Sequence, residues 1–151
     1  MTAKADFNAE EWSKVVEAPL LAGMRVMSAG RGGRIRESVA VAKVYAAARQ
    51  AQGQSELLDA IVASPPSLDR QGLEGGNLAE ASGDRLREAL RILDAKATVD
   101  EASAYRRFVL GVAQAAAEAH KEGGFIGIGG KQISDEERVA LDEIEAILDG
   151  D

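Results

Sequence analysis

Residues 98–122, TVDEASAYRRFVLGVAQAAAEAHKE, decide the fold. Tyr105, Phe108, Val109, Val112, Ala116 and Ala119 recur there every three to four positions, which puts them on one face of an α-helix. At its head Thr98 and Glu101 stand three apart, the spacing at which each side chain takes up the other's free backbone amide. The predicted helix covers about 99–122. Its Gly111 and the alanines 113, 115, 116, 117 and 119 leave little side-chain bulk, so a neighbouring helix is expected to lie close and this helix to be the central one.

The same period continues in both directions. Upstream, Asn8 and Glu11 repeat the capping spacing, and Trp12, Val16, Leu20, Met24 and Met27 predict a helix over about 9–29. Pro19 lies inside it, lacking an amide donor and crowding the previous turn, so a kink or two consecutive helices are expected. Gly30-Arg31-Gly32-Gly33 ends that segment. A second helix follows over about 34–52, with Ile35, Val39, Ala42 and Ala46 on one face. A shorter third carries Leu57, Leu58, Ile61 and Val62 and stops at Ser64-Pro65-Pro66. Residues 64–83, rich in glycine, proline and small polar residues, read as a long surface loop. Helical spacing returns with Leu86, Leu90, Leu93 and Ala97. Beyond the glycine-rich stretch 123–130, a last helix opens at Ser134 and turns Ala140, Leu141, Ile144, Ile147 and Leu148 inward.

No segment alternates with period two. The expected fold is therefore all-α, a compact bundle of about five to six helices forming one domain over 1–151. Helix, glycine segment and helix occur twice, in SAGRGGRIRESVAV and KEGGFIGIGGKQISDEERVAL, which suggests two related halves.

Composition narrows the function. The 151 residues include no Cys, which excludes disulfides, thiolate metal sites and thiol catalysis. No apolar run approaches the roughly 18 residues of a membrane span, and residues 1–15 lack a signal core, so no membrane association and a cytoplasmic location are expected. A net charge of −7 argues against nucleic acid as a partner. The charge is local: residues 134–151 hold eight acids against the single base Arg138, while the other 133 residues balance at 17 of each sign.

Three stretches carry candidate sites. In Gly123 to Lys131 a phosphate loop fails, because Phe125 occupies the place of the first glycine and Gln132 that of the magnesium-binding hydroxyl. The stretch reads as a connector whose Phe125, Ile126 and Ile128 plug the bundle end; the alternative is a ligand or partner site at Gly124, Gly127, Gly129, Gly130 and Lys131. Residues 24–36 hold Arg25, Arg31, Arg34 and Arg36 and no acid, and Arg31, Arg34 and Arg36 are candidates for holding an anion or a partner at the following helix start. The plainer reading sets Arg31 against the carbonyl end of the preceding helix and leaves the others solvated, and a third pairs this basic stretch with the acidic C-terminal helix, within one chain or between two. In Ser134-Asp135-Glu136-Glu137 a capping box and the helix dipole account for the acids, and a divalent-cation site at Asp135 and Glu136 is the alternative.

The run Gly130-Lys131-Gln132-Ile133-Ser134-Asp135-Glu136-Glu137, followed by Leu141 and Ile144, resembles the acidic Gly-x-Ile-Ser-x-Glu-Glu turn of the TerB-like proteins linked to tellurite resistance. The resemblance implies an all-α bundle with a duplicated helical unit, a scaffold-like or metal-responsive accessory role in stress, and a divalent cation at the acidic turn.

Catalytic raw material is sparse: the one histidine, His120, falls in the last turn of its helix, where the dipole favours imidazolium. No catalytic residue is assigned and no cofactor beyond that cation is expected. The expected function is a non-catalytic helical binding or accessory protein with a protein partner or small anion near the two glycine segments. The alternatives are an enzyme acting on a small anionic substrate, and a structural homodimer built on alanine-rich helix faces.

Overall fold

The computed structural model describes residues 3–29, 34–51, 55–63, 78–123 and 135–150, with the side chains of 34–38, 78–79 and 119–123 outside the description. A short 3-10 turn, Lys4–Asp6, leads into α1 (Ala9–Ala29), α2 (Arg34–Gln50), α3 (Glu56–Ala63), α4 (Leu78–Lys96), α5 (Val99–Gly123) and α6 (Asp135–Leu148). No strand occurs among the described residues. The all-α bundle implied by the helical period is the observed fold.

The capping boxes at Asn8 and Thr98 form. The Glu11 amide donates to Asn8 Oδ1 at 2.8 Å and the Asn8 amide to Glu11 Oε1 at 2.9 Å. At the head of α5 the Glu101 amide donates to Thr98 Oγ1 at 3.2 Å and the Thr98 amide to Glu101 Oε2 at 3.0 Å. Each pair satisfies amides that a helix start otherwise leaves open.

Cross-helix contacts give the directions. Tyr105 meets Val15, and Val112 meets Gly23, so α1 and α5 run parallel as the central pair. Lys14 reaches Glu88 and Glu11 reaches Lys96, which sets α4 antiparallel to α1. Tyr45 packs edge-on against Phe108 with centroids 5.1 Å apart, while Val41 sits with Val112 over Gly23, making α2 antiparallel to α5. Arg25 pairs with Glu143, and Ala22 and Ile147 line one small cavity, so α6 also opposes α1. The core lies among these helices, with Val15, Val26, Leu57, Ile61, Leu86, Leu93, Tyr105, Val109 and Val112 essentially removed from solvent.

Pro19 does not divide α1, which continues as one helix from Ala9 to Ala29. A proline there removes the amide that would bond the carbonyl four residues earlier, that of Val15, and Val15 is fully buried. The Tyr105 hydroxyl of α5 donates to that carbonyl at 2.7 Å. A side chain 90 positions away thus supplies the missing donor, and the expected break is not needed.

Glycine use also differs from the expectation. A Cβ at Gly111 would meet nothing within 4 Å, so that glycine faces open space and not a helix contact. The close approach is made by Gly23, where a Cβ would stand 3.0 Å from Val112 Cγ1. The α5 alanines 113, 116 and 117 are buried inside the chain's own bundle, so they are not available as a dimer face. Residues 78–83, read from sequence as the end of a loop, form the first turns of α4, and Ser82 is buried there. Packing against α1 and α6 outweighs the poor propensity of glycine and serine. Residues 64–77 of that expected loop lie outside the described residues.

Three basic side chains tie helix ends down. Arg106 of α5 donates through Nε to the Leu148 carbonyl at the end of α6 at 3.1 Å and through Nη2 to Asp94 of α4 at 3.1 Å. Arg49 donates to the Val62 carbonyl in the last turn of α3 at 2.9 Å. Lys96 donates to the Asp6 carbonyl at 2.9 Å and to Glu11 at 2.7 Å, which holds the N-terminal segment and its buried Phe7 against Trp12.

Tyr105→Phe leaves the Val15 carbonyl buried without a donor and is expected to destabilise by about 1–3 kcal/mol in urea unfolding. In a Pro19→Ala background the restored amide serves that carbonyl, and the same change should cost less than half as much. The two glycines should respond with opposite sign: Gly23→Ala lowers stability by about 1–3 kcal/mol, because Val112 has nowhere to move, and Gly111→Ala raises it by about 0.5–1 kcal/mol. Burial pushes the Tyr45 phenol up to about 12 and that of Tyr105 well above the usual tyrosine value of 10.0. Both are raised in the folded state, so their contribution is complete below about pH 10 and is lost as pH rises toward 12. Tyrosinate absorbance should therefore appear only together with alkaline unfolding; titration of either phenol with the helical signal intact would contradict this burial.

Candidate functional site

The directions of the helices set five helix ends at one end of the bundle. Because α2, α4 and α6 oppose α1 and α5, their amino ends at Arg34, Leu78 and Asp135 lie at the same end of the bundle as the carboxyl ends at Ala29 and Gly123. Ala29 and Arg34 flank the first glycine segment, and Gly123 and Asp135 flank the second. Three helix amino ends, each with the positive pole of its dipole, face that end of the bundle.

The sequence candidates fall partly on described and partly on undescribed residues. Arg31, Gly124, Gly127, Gly129, Gly130 and Lys131 lie outside the described residues, as does Ser134 of the expected capping box. Arg34 and Arg36 are in the first turns of α2 and His120 near the end of α5, with their side chains outside the description. Asp135 and Glu136 are exposed in the first turn of α6, whereas Glu137 is buried. Among the described residues no group of three or more metal-ligating side chains gathers. The expected pairing of the basic stretch with the acidic helix is realised once among the described residues, by Arg25 Nη2 on Glu143 Oε2 at 2.9 Å.

A second feature had no sequence candidate. An open cleft of about 390 Å³ separates α4 from α6, walled by Glu80, Asp84 and Arg87 on one side and Glu143 on the other, with Gly83, Ala146 and Ile147 in its floor. Gly83, Glu143 and Ile147 also line a cavity of about 20 Å³ beneath it, together with Ala22, Arg25, Ser82 and Leu86. The Nε of Arg25 is buried there without an acceptor, since its bond to Glu143 uses Nη2 alone. The missed signal was the register of Ser82, Leu86, Ala89 and Leu93, which extends the α4 stripe backward through the small residues.

Groups with displaced proton affinity sit elsewhere and serve packing. The ammonium of Lys96, with the Asn8 amide, holds the Glu11 carboxyl below its ordinary value, and the Glu88 and Glu10 carboxylates raise Lys14. With the two buried tyrosines, these are structural contacts away from the cleft. The chain matches no protein-family model, no curated protein and no solved structure.

Proposed function

We propose that this chain is a non-catalytic helical accessory protein of the TerB-like, stress-associated kind, which binds an anionic group of a partner at the end of the bundle bearing both glycine segments. The observation that supports it most is that the amino ends of α2, α4 and α6 all lie at that end of the bundle. Backbone amides and helix dipoles favour an anion there. The sequence places Arg31, Arg34, Arg36 and Lys131 next to these helix ends. Asp135 and Glu136 stand in the first turn of α6, where acids are favoured by the helix dipole. A binding role also agrees with the displaced titrating groups, all of which are engaged in holding helices together.

The probe is inorganic pyrophosphate, and the readout is thermal unfolding of the full chain. A ligand present at about ten times its Kd adds about 1.4 kcal/mol, which for a domain of this size is a rise of about 3 °C or more in Tm. The Arg34→Gln/Arg36→Gln variant should fold normally and lose most of that rise. An unchanged Tm in the parent protein, or an equal rise in the variant, would remove this reading.

A further inference from the structure

We propose that α2 of one copy of this chain docks into the α4–α6 cleft of another copy. The donor surface is the outer face of α2. Val39 is 50% exposed, and Ala42 and Ala46, three and seven positions on, are exposed on the same stripe beside Lys43. A helix packed on one side normally carries charge on the other, yet this stripe is apolar and low in bulk. It suits close approach to a second helix surface.

The receiving surface is complementary in charge and shape. α2 carries Arg34, Arg36, Lys43 and Arg49 against the single acid Glu37, whereas α6 carries six acids against Arg138. Glu80 and Asp84 add acid to the opposite wall of the cleft; Arg87 on that wall pairs with Asp84 and Arg25 pairs with Glu143, so the lining holds three acids against one base, over a floor that Ala146 and Ile147 make apolar. A basic helix with an apolar stripe therefore matches a cleft of net negative lining with an apolar floor.

Gly83 supplies an independent observation. Glycine weakens a helix interior, and nothing among the described residues requires one at this place. Its φ is not positive, and a Cβ would stand 3.5 Å from Ile147 Cδ1 and 3.4 Å from Arg87 Nη1, the mobile end of an exposed side chain. What the missing Cβ does is deepen the cleft for an incoming backbone. Unlike Gly111, which faces open space, Gly83 has a wall opposite it.

The test is sedimentation equilibrium of the full chain from about 10 µM to about 1 mM. Mass should rise with concentration to at least twice the monomer, and about 0.5 M salt should weaken the association about tenfold. Ala46→Glu on the stripe and Gly83→Leu in the cleft should each abolish it, with Asp84→Lys replacing the latter if the leucine variant does not fold. Mixing the two kinds of variant restores a 1:1 complex, because one still offers its α2 and the other its cleft. Gly83→Ala should be more stable than the parent and associate more weakly. A monomer at every concentration, which would hand the cleft to a different protein, overturns the proposal. So does a mixture of folded variants that stays monomeric, or association indifferent to Ala46→Glu.

Discussion

One carbonyl oxygen sets the central constraint on this bundle. Pro19 takes away the donor that Val15 would have had within α1, and Val15 lies where no solvent reaches. The hydroxyl of Tyr105 must then come to that oxygen, which locks the register of α5 against α1 near one end of their contact. Gly23 locks it near the other, because only a residue without a side chain lets Val112 come as close as it does. Between these points the parallel pair has no freedom to slide. The remaining helices pack on a scaffold whose register is determined by two defects in α1, a missing amide and a missing Cβ.

The ionic contacts divide along the same scaffold. Lys14 with Glu88 and Lys96 with Glu11 join α1 to α4, Arg106 joins α5 to α4 and to the end of α6, and Arg25 joins α1 to α6. They are partly exposed, and such pairs contribute little each to stability. Their effect is on orientation: each links the central pair to a flanking helix at a different height. Arg106 and Arg49 also accept the negative ends of α6 and α3, so two helix ends are stabilised by side chains from other helices.

What the sequence discloses follows from how local the determining interaction is. The capping boxes at Asn8 and Thr98 involve residues three apart and were legible, as was the all-α period. Pro19 was legible as a defect but not in its consequence, because the remedy comes from Tyr105, far along the chain. Gly23 and Gly111 look alike in sequence, and only tertiary placement tells the glycine under a valine from the one facing open space. The early start of α4 was missed because Ser82 and Gly83 suit loops; their burial against α1 and α6 is a tertiary effect. The cleft went unseen for the same reason, since its walls come from helices more than fifty residues apart.

The negative charge of the last eighteen residues now has a structural division. Ala140, Leu141, Ile144, Ile147 and Leu148 take the inner face of α6, so its acids fall at the start of the helix, on the outer face, or at the cleft. Among the described residues Glu143 pairs with a base across the bundle, through Arg25. Glu136, Asp142, Glu145 and Asp149 make no ion pair among the described residues. Acids gathered this way repel one another. The basic counterweight sits on α2, which packs on α5 and not on α6. Charge that balances over most of the chain but separates by helix creates a field between two faces of one molecule. Such a field acts between molecules more effectively than within one.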